Sequence, residues 1–133
     1  MAVPIVLDSW AVLAYFQGEP AADKVQQILT DAHSVKTPLL MSAINAGEVW
    51  YAYFRRASEK IAEERISQLE LMGVRFVIPD WPQTKQAARF KGKYAIAYAH
   101  CFAAALARSE RGRVVTGDPE FRKLEDEVPV VWV

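Results

Sequence analysis

Short apolar runs alternate with helical stretches along the whole chain, and this alternation limits the fold more than any other feature. Val3 to Leu7, Pro38 to Met41, Val74 to Pro79, Val114 with Val115, and Val130 to Val133 read as strands, the first as one buried on both faces. Between them lie helical stretches: the apolar residues Ala21, Val25, Ile28, Leu29 and Ala32 recur at helical spacing in one, and another carries Ile61, Ile66, Leu69, Leu71 and Met72. Helices are expected at Ser9 to Phe16, closed by Gly18; at Ala21 to Ala32, opened by Pro20; from a Ser42 cap to about Ala57; from a Ser58 cap to Gly73; and over 82–91 and 97–110, the last ended by Gly112. Asp118-Pro119 opens a further short helix. Such alternation predicts an α/β protein: a short, mainly parallel central sheet with helices on both faces.

A chain of 133 residues is long enough to bury a core of its own, and no linker, repeat or low-complexity segment divides it, so residues 1–133 are expected to form a single domain. Sixteen basic residues balance sixteen acidic ones, so attraction to nucleic acid has to come from local patches and not from an overall field. One cysteine, Cys101, cannot form an internal disulfide and fits a reducing compartment. With no leader-like or membrane-length apolar segment, the expectation is a cytoplasmic protein with no membrane association.

Two carboxylates mark the ends of strands: Asp8 closes the first apolar run and Asp118 the one containing Val114 and Val115. In open α/β sheets ligands collect outside the carboxyl ends of the strands, and paired acids there suit a cation. Helix capping alone would explain each acid taken singly. Glu48 is harder to explain that way, being the only charged residue between Ala43 and Phe54; such a carboxylate must face solvent, pair, or bind a cation. His100 interrupts the small-residue run Ala95 to Ala107, whose composition suits a helix packed tightly on a sheet.

Four segments in order carry a family resemblance over nearly the full length: Ile5-Val6-Leu7-Asp8-Ser9, Ser42-Ala43-Ile44-Asn45-Ala46-Gly47-Glu48-Val49, the stretch from Tyr98 to Ala107, and Val115-Thr116-Gly117-Asp118-Pro119-Glu120-Phe121. The chain resembles PIN-domain proteins of the VapC toxin type, the toxin component of toxin-antitoxin pairs. The resemblance implies a three-layer α/β/α sandwich, a ribonuclease whose acids bind Mg2+ or Mn2+, a homodimer, and a small VapB-like antitoxin as partner. It also exposes a departure: the position of His100 is ordinarily an Asp in this family. The cluster then keeps three carboxylates, and an imidazole suits Mn2+ better than Mg2+.

On this reading Asp8 and Asp118 hold the ion and Glu48 orients or deprotonates the attacking water. His100 is a fourth ligand or a proton-transfer group, with Thr116 and Asn45 supporting the acids from behind. Asn45 precedes Glu48 by three residues and so shares its helical face. Basic residues for the RNA backbone are available at Lys85, Arg89, Lys91 and Lys93 and at Arg55, Arg56 and Lys60, although solvated surface explains most of them. Trp50, Tyr51, Tyr53 and Phe54 point all around one helix, where an antitoxin or second subunit has room to dock. The alternative function is a binding module for RNA or antitoxin with weak or absent chemistry. A phosphoacceptor receiver domain fits badly, since Asp8 lacks an acidic neighbour to make the pair such domains need.

Overall fold

The computed structural model describes residues 2–133. Five strands form one sheet in the order β3-β2-β1-β4-β5: β1 (Ile5–Leu7), β2 (Leu39–Ser42), β3 (Val74–Val77), β4 (Arg113–Thr116) and β5 (Val130–Trp132). Every pairing is parallel, and β1 sits at the centre, with Ile5 opposite both Leu39 and Arg113. Because the strands alternate their side chains between faces, Val6, Leu40 and Val114 enter one core while Leu7, Leu39, Met41 and Val115 enter the other. The expected three-layer sandwich is therefore present.

The second of these cores is covered by α1 (Ser9–Phe16), α2 (Ala22–Ser34), α3 (Ala43–Arg56) and α4 (Glu59–Leu71). On the opposite face lie α5 (Trp81–Lys93), α6 (Tyr98–Glu110) and a 3-10 turn at Pro119–Leu124. Helix α6 is buried continuously from His100 to Ala107, and the alanines of that stretch, at 103, 104, 105 and 107, let the backbone lie close to the sheet. An all-round buried helix of this kind belongs in the middle of a layer, not at its edge.

The caps at Ser42 and Ser58 form as expected, accepting from the Ile44 and Ile61 amides at 3.2 and 3.1 Å. The end of α6 differs from expectation. Arg111, not Gly112, takes the left-handed conformation that closes the helix, at φ 54°. Gly112 is required by closeness instead: a Cβ there would stand 2.5 Å from the Pro4 carbonyl oxygen, at the join that sets β4 beside β1. The start of α2 also moves, to Ala22, because Ala21 already serves as its cap.

The chain runs outward from β1 to β2 to β3, then crosses the opposite face and returns to β4 on the other side of β1. The β1/β4 boundary is thus the point where the winding reverses and the following loops splay apart, the ordinary ligand crevice of such sheets. Asp8 leaves β1 and Asp118 leaves the segment after β4, on the two sides of that crevice.

Candidate metal centre

Asp8 occupies the cap position of α1 yet its side chain makes no capping bond. It turns into the crevice, completely buried, where Oδ1 meets His100 Nδ1 at 3.1 Å and Oδ2 accepts from Thr116 Oγ1 at 3.0 Å. The other ring nitrogen, Nε2, lies 2.9 Å from Asp118 Oδ2. Asp118 also caps the 3-10 turn, Oδ1 accepting from the Glu120 amide at 2.9 Å, while its own amide donates to Thr116 Oγ1 at 3.1 Å. Capping and a place in the crevice, alternatives in the sequence, coexist at this residue.

His100 therefore stands between two carboxylates, its ring held edge-on against the buried Phe121 at 4.9 Å. Burial works against a charged imidazole here, but the hydrogen bond and charge of Asp8, followed by the charge and hydrogen bond of Asp118, outweigh it and push the ring's pKa up to about 9. With no ion bound, this favours the protonated ring at neutral pH, with a nitrogen facing each aspartate. Its neighbour Cys101 is wholly buried, and burial pushes that thiol up to about 11, which removes it as a nucleophile.

Glu48 sits half-buried on α3. Its Oε1 accepts from Ser9 Oγ at 2.7 Å and from Asn45 Nδ2 at 3.1 Å, which leaves Oε2 free of protein donors among the described residues. Asn45 is fully buried, and the same nitrogen donates to the Ala99 carbonyl at 2.9 Å, so it ties α3 to the first turn of α6. Asn45 Oδ1 has no hydrogen-bond partner among the described residues. A buried acceptor left open beside a carboxylate calls for a donor from outside, such as water or a hydrated ion. The four sequence-derived residues Asp8, Glu48, His100 and Asp118 thus share one crevice with Asn45 and Thr116. Direct contacts join Asp8, His100, Asp118 and Thr116 in one chain, and Glu48 is reached through Ser9 and Asn45.

Two participants escape the sequence reading. Ser9 orients Glu48 across 39 residues of chain, a pairing that no local pattern announces. Glu120 comes forward from the 3-10 turn, where an acid in the first turn reads as ordinary dipole compensation. Ligand atoms of His100, Asp118 and Glu120 all lie within 4.8 Å of one another, close enough for a small side-chain adjustment to gather them on one ion. The donor chemistry of the crevice, four acids and an imidazole with an open acceptor nearby, fits a divalent cation.

The basic residues divide differently from expectation. Lys91 is engaged within the protein: its Nζ donates to the Ile96 carbonyl at 2.8 Å and fastens the loop that enters α6, with Lys123 doing the same at the Ala95 carbonyl, 2.6 Å away. Lys93 pairs with Glu127 at 3.7 Å. On α3, Tyr53 is buried and Trp50 is half-buried, its indole donating to Glu63 at 3.1 Å, whereas Tyr51 and Phe54 stay about half exposed at 49% and 47%.

A family model for the PIN domain matches residues 5–127. The chain belongs to the PIN-domain family. Solved structures similar to it include VapBC-1 from nontypeable Haemophilus influenzae, with a TM-score of 0.74, 18% identity and 96% of each chain covered. VapC20 from Mycobacterium tuberculosis, described as a sarcin-ricin loop cleaving toxin, gives 0.72 at 16% identity over 97% of this chain and 99% of that one. A toxin-antitoxin complex from Klebsiella pneumoniae gives 0.68 at 15% identity over 96% and 95%. A sequence comparison with curated proteins finds no match. In this PIN domain the carboxyl ends of β1 and β4 carry the acids, and His100 occupies the α6 position between them. Among the described residues no helix is long and apolar enough to cross a membrane.

Proposed function

We propose that this PIN domain is a metal-dependent endoribonuclease, the toxin of a toxin-antitoxin pair, with activity weakened by His100. The observation that carries the reading is the crevice itself: Glu48, held at one oxygen by two donors and open at the other, beside the linked set Asp8, His100 and Asp118. A bound Mn2+ or Mg2+ would supply positive charge to the scissile phosphate and ease deprotonation of water. Asp118 would hold the ion from the solvent side, since its carboxylate is the more open of the two aspartates, at 24% against 0% exposure. Glu48 Oε2 accepts the proton of the attacking water, and the Ser9 and Asn45 bonds fix the direction in which it does so. With no metal bound, His100 supplies positive charge to the crevice and engages both aspartates.

Related solved structures that pair toxin with antitoxin support a VapB-like partner for this chain, and the exposed side chains of Ile44, Tyr51 and Phe54 on α3 offer it an apolar face. A homodimer and a cytoplasmic location belong to the same proposal. Single-stranded RNA incubated with purified protein and Mn2+ should be cut internally, and EDTA should stop the reaction. RNA retained without any cut would favour the second reading, a binding module, which the His100 link between Asp8 and Asp118 specifically recommends because it engages both acids.

A further inference from the structure

The usual picture of paired strand-end acids sharing one ion does not suit these distances. Two oxygens bound to one Mg2+ at about 2.1 Å stand no more than about 4.2 Å apart. Asp8 Oδ1 and Asp118 Oδ2 have a whole imidazole between them, hydrogen-bonded at 3.1 Å on one side and 2.9 Å on the other. Asp8 has a further reason not to bind metal directly. It is completely buried, one oxygen is committed to His100 and the other to Thr116.

The same contacts make a different centre. A ligating histidine usually presents one nitrogen to the metal while the other donates to a carboxylate that fixes the ring's orientation. Asp8 is that carboxylate at Nδ1, and the ring is locked further by Phe121. Nε2 then faces outward to Asp118 Oδ2, the two atoms 2.9 Å apart, a spacing suited to adjacent ligands of one ion, which on binding takes the place of the Nε2 proton and releases it to solvent. Glu120 completes the set: its ligand atom lies within 4.8 Å of both others, and its Oε1 is steadied by the Ala97 amide at 2.7 Å. The three grade from a buried His100 to half-buried Asp118 and Glu120, which leaves an open side for an ion to enter.

We propose that the divalent ion of this protein is held by His100 Nε2, Asp118 and Glu120, with Asp8 as the residue that orients the ring and not as a ligand. This inference rests on reading the crevice as a metal-dependent site, and it moves the ion toward the solvent side of the crevice. A mixed imidazole and carboxylate set selects Mn2+ over Mg2+, which keeps to oxygen ligands.

Mn2+ binding followed by calorimetry and by pulsed EPR, on the full chain, tests it without recourse to catalysis. Wild-type protein should bind Mn2+ with an equal concentration of Mg2+ present, and its EPR signal should carry coupling to a 14N nucleus. His100→Asp should lose that coupling, and Asp8→Asn should retain it, because an asparagine oxygen still accepts from Nδ1. Glu120→Gln, a half-buried position whose amide oxygen can still accept from Ala97, should keep the fold and weaken Mn2+ binding at least about tenfold. Absence of Mn2+ binding, absence of 14N coupling in the wild type, or unchanged affinity in Glu120→Gln would each overturn the inference. RNA cleavage measured on the same preparations separates the two ideas: nitrogen-coupled Mn2+ without cutting leaves the metal set standing and removes the nuclease reading, and cutting without nitrogen coupling does the reverse.

Discussion

His100 concentrates the energetics of the crevice in one side chain. With its folded pKa raised to about 9 from an ordinary 6.5, the ring contributes stability that is fully present below pH 6.5 and is lost as pH rises through about 9. Thermal unfolding between pH 6 and pH 9.5 in EDTA should show a fall on the order of 2 kcal/mol, absent in His100→Gln. A larger effect is expected from His100→Ala, which leaves the buried Asp8 carboxylate with only its Thr116 bond: about 3 kcal/mol lost in denaturant unfolding. His100→Asp brings a third carboxylate against the other two. It should unfold at lower temperature in EDTA, recover with metal, and accept Mg2+ more readily than the wild type does. The sequence displays the four residues because each departs from its surroundings, an acid at a strand end or a polar residue in an apolar helix. It does not display their bonding, since a ring joining Asp8 to Asp118 spans 92 residues on one side and 18 on the other.

Among the elements, the strands and helices are legible because period and punctuation agree: apolar runs of strand length, serines at the caps of α3 and α4, and an Asp-Pro step before the last turn. What the sequence hides is the reason for particular residues in the joins. Gly112 reads as a helix terminator and is instead a point of backbone contact, with Arg111 bearing the left-handed turn. Gly112→Ala should therefore cost about 1–3 kcal/mol in chemical unfolding through its clash with the Pro4 carbonyl, more than loss of a cap explains. Gly117 has a comparable constraint beside the crevice, where a Cβ would meet the Trp10 ring and come within 2.8 Å of the Val133 carbonyl oxygen. Lys91 shows the opposite case, a residue that looks like an RNA contact and serves the loop into α6; Lys91→Ala should loosen the segment around Ile96, seen as faster amide exchange there, with little change in the salt dependence of RNA binding.

For the molecule as a whole, the fold follows from burying two faces of a short parallel sheet, and the site follows from where that winding reverses. Helices α1 and α3 leave the strands with Asp8 and Glu48 near their starts, α6 supplies His100 from the opposite face, and the turn after β4 adds Asp118 and Glu120. No one layer contains the chemistry, so it forms only when all three are assembled. Residues that act as such a unit lose function together: removing one should cost nearly as much as removing two. The most direct measurement is single-turnover cleavage of RNA with Mn2+ by wild type, Glu48→Gln, Asp118→Asn and the double variant. Each single variant is expected to fall at least about 100-fold, with the double falling little further. Cleavage at the wild-type rate by either single variant would show that the crevice between β1 and β4 is not where the reaction occurs.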